Sequence, residues 1–128
     1  MTVEFLNPTD VHAPGGYSHA VTVSGRLLIV AGQIGLDKDR NVVGGGDFEA
    51  QAAQAFDNLK AVLAAGGARM EDVVRLGVFL TDRKYLPQFR EVRARYFPGA
   101  LPTSTLVIAG LIMPELFLEI EAIAQMSA

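Results

Sequence analysis

The sequence predicts an α+β domain in which a mixed β-sheet carries two helices packed on one face. The predicted elements follow the order two strands, helix, strand, helix, two strands, so strands and helices do not alternate as they do in a parallel α/β fold. The chain has 128 residues and no interior run of Gly, Ser or Pro long enough to be a linker. We therefore expect one domain covering residues 1–128.

The first strands are predicted in the stretch YSHAVTVSGRLLIVAGQI. Two β-rich runs, residues 17–23 and 27–31, are separated by a short Ser-Gly-Arg turn, a pattern typical of a hairpin. The following GLDKDRNVVGGG contains too many turn formers for regular structure, so residues 35–46 are predicted as an irregular excursion.

The first helix is predicted between Asp47 as N-cap and Gly66 as the stop, because apolar residues recur at helical spacing between them. The second helix is expected to begin near Leu86, since Pro87 is tolerated only in a first helical turn, and to run to Phe97.

The remaining strands follow from alternation and from turn residues. In DVVRLGVFLTD, residues 74, 76, 78 and 80 form one apolar face of a half-buried strand. Two closing strands are predicted at residues 104–110 and 116–124, joined by a turn at Ile-Met-Pro-Glu.

Composition limits the classes of partner. The net charge is −3 and the pI is near 5.3, so no overall positive field attracts DNA or RNA. No apolar run approaches the roughly 20 residues that span a bilayer, and the first residues lack the pattern of a signal peptide, so a cytoplasmic location is expected. A 50% hydrophobic content is high for a small domain, which favours contact with another copy of the chain.

The last strand carries the most interesting acids. In ELFLEIEAIA, Glu119 and Glu121 share a strand face and have strongly apolar neighbours. A carboxylate in such surroundings is suited to general acid or base chemistry near neutral pH. The alternative is that both acids face solvent or pair with an arginine such as Arg75.

Other candidates give weaker signals. Tyr17 follows Pro-Gly-Gly and could either close over a pocket or cap the core. His12 and His19 lack a further ligand at zinc-like spacing, so no metal site is expected. Neither a phosphate-binding glycine motif nor a Gly-x-Ser-x-Gly elbow is present, which leaves little support for a nucleotide cofactor or for Ser104 as a nucleophile.

Five segments in order, GGYSHAV, AGQIG, QAFDNLKAVLAAGG, EDVVRLGVFLTD and EIEAIA, resemble the reactive intermediate deaminase family (Rid or YjgF, also labelled L-PSP endoribonuclease). The resemblance extends from about residue 5 to residue 125. It implies a chorismate-mutase-like fold, a homotrimer with ligand clefts between subunits, and hydrolysis of enamine or imine intermediates without any cofactor.

The resemblance also implies site residues. The family tyrosine falls on Tyr17, the glycine whose backbone lines the site on Gly32, and the carboxylate that positions or activates water on Glu119. Deaminating members have an arginine two residues after the proline, where its guanidinium holds the substrate carboxylate. Here the same spacing from Pro102 gives Ser104, which makes 2-aminoacrylate itself a doubtful substrate.

A substitute cation is available on the second helix. Arg90 aligns with a site-facing asparagine of the family, so it could replace the lost guanidinium, although a solvated helix face shared with Arg93 and Arg95 is the simpler interpretation. Two hypotheses result. One is a hydrolase of an imine or enamine using Glu119, and the other is a non-catalytic trimer that binds a metabolite or a partner protein in the same clefts.

Overall fold

In the computed structural model, which describes residues 3–126, a four-stranded mixed sheet is covered on one face by two helices. A separate two-stranded ribbon lies beside it. The elements in chain order are β1 (Glu4–Leu6), β2 (Ala20–Thr22), β3 (Leu27–Ile34), α1 (Phe48–Ala65), β4 (Val73–Leu80), α2 (Leu86–Tyr96), β5 (Thr103–Ile108) and β6 (Leu118–Gln125). Short 3-10 turns at Met70–Asp72 and Arg83–Tyr85 precede β4 and α2.

The sheet has the strand order β3, β6, β4, β5. β6 is antiparallel to both of its neighbours, and β4 and β5 are parallel. The predicted α+β class, with a mixed sheet, is therefore confirmed. The two closing strands do not pair with each other, because β4 lies between them.

Both helices begin where their sequence signals place them. The Asp47 carboxylate accepts a hydrogen bond from the Glu49 N–H at 3.0 Å, which caps the first turn of α1. Gly66 ends this helix, and Gly67 next to it adopts a left-handed conformation with φ of 85°. α2 begins at Leu86 with Pro87 in its first turn.

The core lies between the helices and one face of the sheet. Alternate residues of β4 and β6 point into it, and their neighbours in sequence point to the opposite face, which we call the open face. The core residues of the two central strands that are at most 2% exposed are Val73, Leu76, Val78, Leu80, Leu118, Ile120, Ala122 and Ala124. The open face carries Ile29, which is 73% exposed, and Val107, which is 45% exposed.

The predicted hairpin of residues 17–23 with 27–31 is wrong. β2 pairs with β1, a strand that the sequence did not predict, and β3 pairs with β6. β3 also continues to Ile34 through a bulge between Val30 and Gln33. Alternation locates a strand but carries no information about its pairing partner. For β3 that partner is β6, which lies about a hundred residues later in the chain.

Candidate functional site

A cleft of about 250 Å³ opens between α2 and β5 and contains three of the five residues expected at the site. We call it the α2–β5 cleft. Its lining residues are Gly15, Tyr17, Leu86, Arg90, Arg93, Ser104 and Leu106. The cleft therefore combines a phenol, a hydroxyl and two guanidinium groups with apolar walls.

Helical and strand periodicity explain this lining. Leu86, Arg90 and Arg93 lie at i, i+4 and i+7 and so share one face of α2. On β5, Ser104 and Leu106 are two residues apart and pair with Leu76 and Val78, whose side chains face the helices. Both elements thus present their side chains to the same side of the sheet.

Tyr17 is positioned by the residue that follows it. Ser18 is only 5% exposed, its N–H donates to the Pro102 carbonyl at 2.9 Å, and its hydroxyl donates to the Leu101 carbonyl at 2.6 Å. These bonds join the segment to the start of β5. The Tyr17 hydroxyl is also hydrogen-bonded to His12 Nε2 at 3.0 Å. Tyr17 is therefore a cleft residue and not part of the core.

The three successive hydroxyls of Thr103, Ser104 and Thr105 have different surroundings. The Thr103 hydroxyl donates to the Val74 carbonyl on the neighbouring strand at 2.9 Å. Ser104 lines the cleft, and Thr105 is exposed. Only Ser104 is thus placed to meet a ligand in this cleft.

Arg93 is the cleft residue that sequence reasoning assigned to a solvated surface. Its guanidinium lies against the backbone of Gly16, where a Cβ would collide with it, and the left-handed φ of 82° at Gly16 independently favours glycine. It also lies 5.5 Å from the centre of the Phe89 ring. Burial, together with the neighbouring charge of Arg90, lowers the pKa of Arg93.

Glu119 and Gly32 lie together on a different part of the sheet. A Cβ at Gly32 would collide with the Glu119 carboxylate, so the side chain of Glu119 lies over this glycine. Glu119 pairs in register with Ile34 on β3 and with Phe79 on β4. Within residues 3–126 no cation lies within 4.0 Å of its carboxylate. Glu119 is half-buried on the open face.

Glu121 has the arginine partner that the sequence raised as an alternative. Its carboxylate lies 3.7 Å from Nη1 of Arg75, and the pair crosses over Gly77, where a Cβ would meet the Glu121 Cγ at 2.7 Å. The two acids of β6 therefore differ, because within residues 3–126 Glu121 has a cation within 4.0 Å and Glu119 has none.

The structure separates the expected site residues into two groups within one chain. Tyr17, Arg90 and Ser104 line the α2–β5 cleft, whereas Gly32 and Glu119 lie on the open face. β4 lies between β5 and β6, which places these strands roughly 10 Å apart at the usual strand spacing. A small molecule in the cleft cannot reach Glu119 of the same chain through this packed sheet.

Gln51 is a supporting residue that sequence reasoning missed. It is fully buried in α1, its side-chain amide donates to the Glu115 carbonyl at 3.1 Å, and its carbonyl oxygen accepts the Phe117 N–H at 2.6 Å. These bonds fix the chain directly before the strand that carries Glu119. A glutamine on the apolar face of an amphipathic helix was the available signal.

Two kinds of feature are absent from the part of the chain that the structure describes. Residues 3–126 contain no group of three or more His, Cys, Asp or Glu side chains that could hold a metal ion. No helix in the same range is both long and apolar enough to cross a membrane.

Comparisons with known proteins identify the family. The family described as Endoribonuclease L-PSP matches residues 8–126. Protein DfrA of Myxococcus xanthus is 42% identical over 88% of this chain and 86% of its own length. A RutC family protein of Saccharolobus solfataricus is 39% identical over 88% of this chain and 89% of its own length.

Solved structures indicate the same family. A Rid family protein of unknown function from Yersinia pestis superimposes with a TM-score of 0.86 at 38% identity, covering 98% of this chain and all of that one. RidA from an Antarctic Psychrobacter gives a TM-score of 0.74 at 34% identity, over 90% of this chain and 92% of that chain. The chain described here therefore belongs to the L-PSP/Rid family.

Proposed function

We propose that this protein is a cofactor-independent hydrolase of a small imine or enamine, and that it works as a homotrimer with its sites between subunits. The observation that carries this proposal is the separation of the two groups of site residues. Tyr17, Arg90 and Ser104 line a cleft that has no carboxylate in its lining, whereas the Glu119 carboxylate lies over Gly32, outside that cleft. A neighbouring copy that brings its Glu119 to this cleft would complete one site.

The reaction requires little from the protein. Water adds to the imine carbon to give a carbinolamine, a proton moves from oxygen to nitrogen, and the C–N bond breaks to release ammonia and a carbonyl compound. Glu119 would take the proton from water and return it to the leaving nitrogen. Tyr17 and Ser104 would orient the substrate, and Arg90 would hold its negative end.

The open face supports the assembly. Ile29 and Val107 are exposed apolar side chains on the surface that also carries Glu119. Covering such exposed apolar groups with another protein surface lowers the free energy. We propose that this surface is covered by a second and a third copy of this chain, since closed symmetry is the usual arrangement of soluble homo-oligomers.

Ammonia release from imines made in situ by an amino-acid oxidase tests the activity. We expect the wild-type protein to accelerate release above the buffer rate, and Glu119→Gln to lower the acceleration at least about a hundredfold. Glu121→Gln is the matched control, because it removes a carboxylate from the same strand face but leaves Glu119 in place.

Two outcomes would contradict the proposal. If wild type and Glu119→Gln both release ammonia at the buffer rate from every imine, the protein is not this hydrolase. Ligand binding in the cleft without turnover would then favour the alternative, a trimeric metabolite-binding protein. Equal losses in Glu119→Gln and Glu121→Gln would also exclude a specific role for Glu119.

A further inference from the structure

Arg90 and Arg93 form a pair of cations in the α2–β5 cleft that has no counterion among residues 3–126. They lie at i and i+3 on α2, and both line the cleft. None of the ion pairs within residues 3–126 includes either side chain, although Arg69, Arg75 and Arg95 each have a carboxylate within 4.0 Å. Two unneutralised guanidinium groups therefore share a small cavity.

Of the two cations, Arg93 is the better anchored. Arg90 is exposed, whereas Arg93 is half-buried between the Gly16 backbone and the Phe89 ring. A guanidinium fixed in this way loses less rotational freedom when it binds a ligand, and its partial loss of hydration strengthens its attraction for an anion. Its planar fork suits a two-pronged contact with a carboxylate.

Two cations that line one small cleft suit a ligand with two anionic ends. Side chains at i and i+3 on a helix have Cβ atoms about 5 to 6 Å apart. Two carboxyl carbons separated by four C–C bonds of about 1.5 Å span roughly 5 Å, so each carboxylate can face one arginine. Leu86 and Leu106 supply apolar walls for the connecting carbons, and Ser104 supplies a hydroxyl.

We propose that Arg93 and Arg90 together select dicarboxylates, so that the ligand of this cleft is a 2-oxo or 2-imino dicarboxylic acid of about five carbons. The imino form as substrate rests on the proposed hydrolase function. The binding of the 2-oxo dicarboxylate does not, because it requires only the cleft.

Calorimetric titration with 2-oxoglutarate and 2-oxopentanoate tests the selectivity, because these acids have equal chain length and differ by one carboxylate. The wild-type protein is expected to bind 2-oxoglutarate at least about tenfold more tightly. Arg93→Gln should reduce this preference to within about threefold. Arg95→Gln removes the same charge from the same helix outside the cleft, so it should keep the preference of the wild type.

A further variant separates a binding role from a structural one. Arg93→Lys keeps the charge but loses the planar fork, and we expect an intermediate preference if the protein keeps its thermal unfolding temperature. Equal affinity of wild type for both acids, or an unchanged preference in Arg93→Gln, would overturn the proposal. Tighter binding of inorganic phosphate than of 2-oxoglutarate would overturn the dicarboxylate assignment.

A parallel assay of ammonia release distinguishes this inference from the proposed function. The imines of 2-oxoglutarate and of 2-oxopentanoate are generated by oxidation of glutamate and of norvaline. Selective binding without any ammonia release would support the dicarboxylate site and contradict the proposed hydrolase function. Ammonia release from both imines at equal efficiency would support the hydrolase function and contradict the proposed selectivity for dicarboxylates.

Discussion

Gly32→Ala is expected to reduce imine turnover by displacing Glu119 while leaving the fold intact. A Cβ at this position would collide with the terminal carboxylate oxygen and would lie 2.8 Å from the carboxyl carbon of Glu119. The backbone itself accepts alanine, because the φ of Gly32 is outside the left-handed region. The conflict is therefore with the end of a flexible side chain, which can move away.

The size of the effect follows from this contact. Carbon atoms in ordinary contact are about 3.5 to 4.0 Å apart, so a carboxyl carbon at 2.8 Å must move by about 1 Å. A displacement of about 1 Å at a reacting group can cost roughly a hundredfold in rate, equivalent to about 2.7 kcal/mol of transition-state stabilisation. The free energy of unfolding should change by less than about 1 kcal/mol.

Ammonia release at saturating imine measures the turnover rate, and urea denaturation measures the free energy of unfolding. Gly99→Ala is the matched control, because no atom lies within 4 Å of a Cβ at that exposed glycine and its φ is also outside the left-handed region. The reasoning is refuted if Gly32→Ala has wild-type turnover. It is also refuted if the loss of turnover is no larger than in the control.

Three further changes test the scaffold around the two groups of site residues. Gln51→Leu should cost about 2 to 3 kcal/mol in urea denaturation, because two backbone groups before β6 lose their partner, and a cost below about 0.5 kcal/mol would contradict this role. Burial, then Asp57, raises the pKa of Tyr96 to about 12, so the contribution of this tyrosine to stability is present below its ordinary pKa near 10 and is lost as the pH rises toward 12. Stability should therefore fall less steeply between pH 10 and 12 in Tyr96→Phe than in wild type, and equal slopes would count against this linkage. His12→Phe removes the hydrogen bond to Tyr17 and should weaken 2-oxo acid binding several-fold by calorimetry, with an unchanged affinity showing that the bond is dispensable.

The helices and the alternation of the central strands could be predicted because their signals are local. Asp47 caps α1 and Gly66 ends it through neighbouring backbone groups, and Pro87 fixes the start of α2 within one turn. The face of β6 that carries Glu119 likewise follows from a period of two. None of these features depends on a distant part of the chain.

The partners of the strands and the environment of Arg93 could not be predicted, because they depend on distant residues. β2 pairs with β1, and β3 pairs with β6 through a bulge. The alternation of apolar and polar residues predicts neither pairing. Arg93 belongs to a basic stretch that is typical of a solvated helix face. Its partial burial results from Gly16, which is 77 residues earlier in the chain.

The most direct test of a site shared between copies is complementation between two inactive variants. Glu119→Gln keeps an intact cleft, and Ser104→Trp blocks the cleft but keeps Glu119. When the two chains are unfolded together in equal amounts and refolded, about a quarter of the sites in a randomly mixed trimer combine the intact half of each. We predict ammonia release at about a quarter of the wild-type rate. Release no higher than the average of the two separately refolded variants would show that Glu119 and the α2–β5 cleft do not meet between subunits.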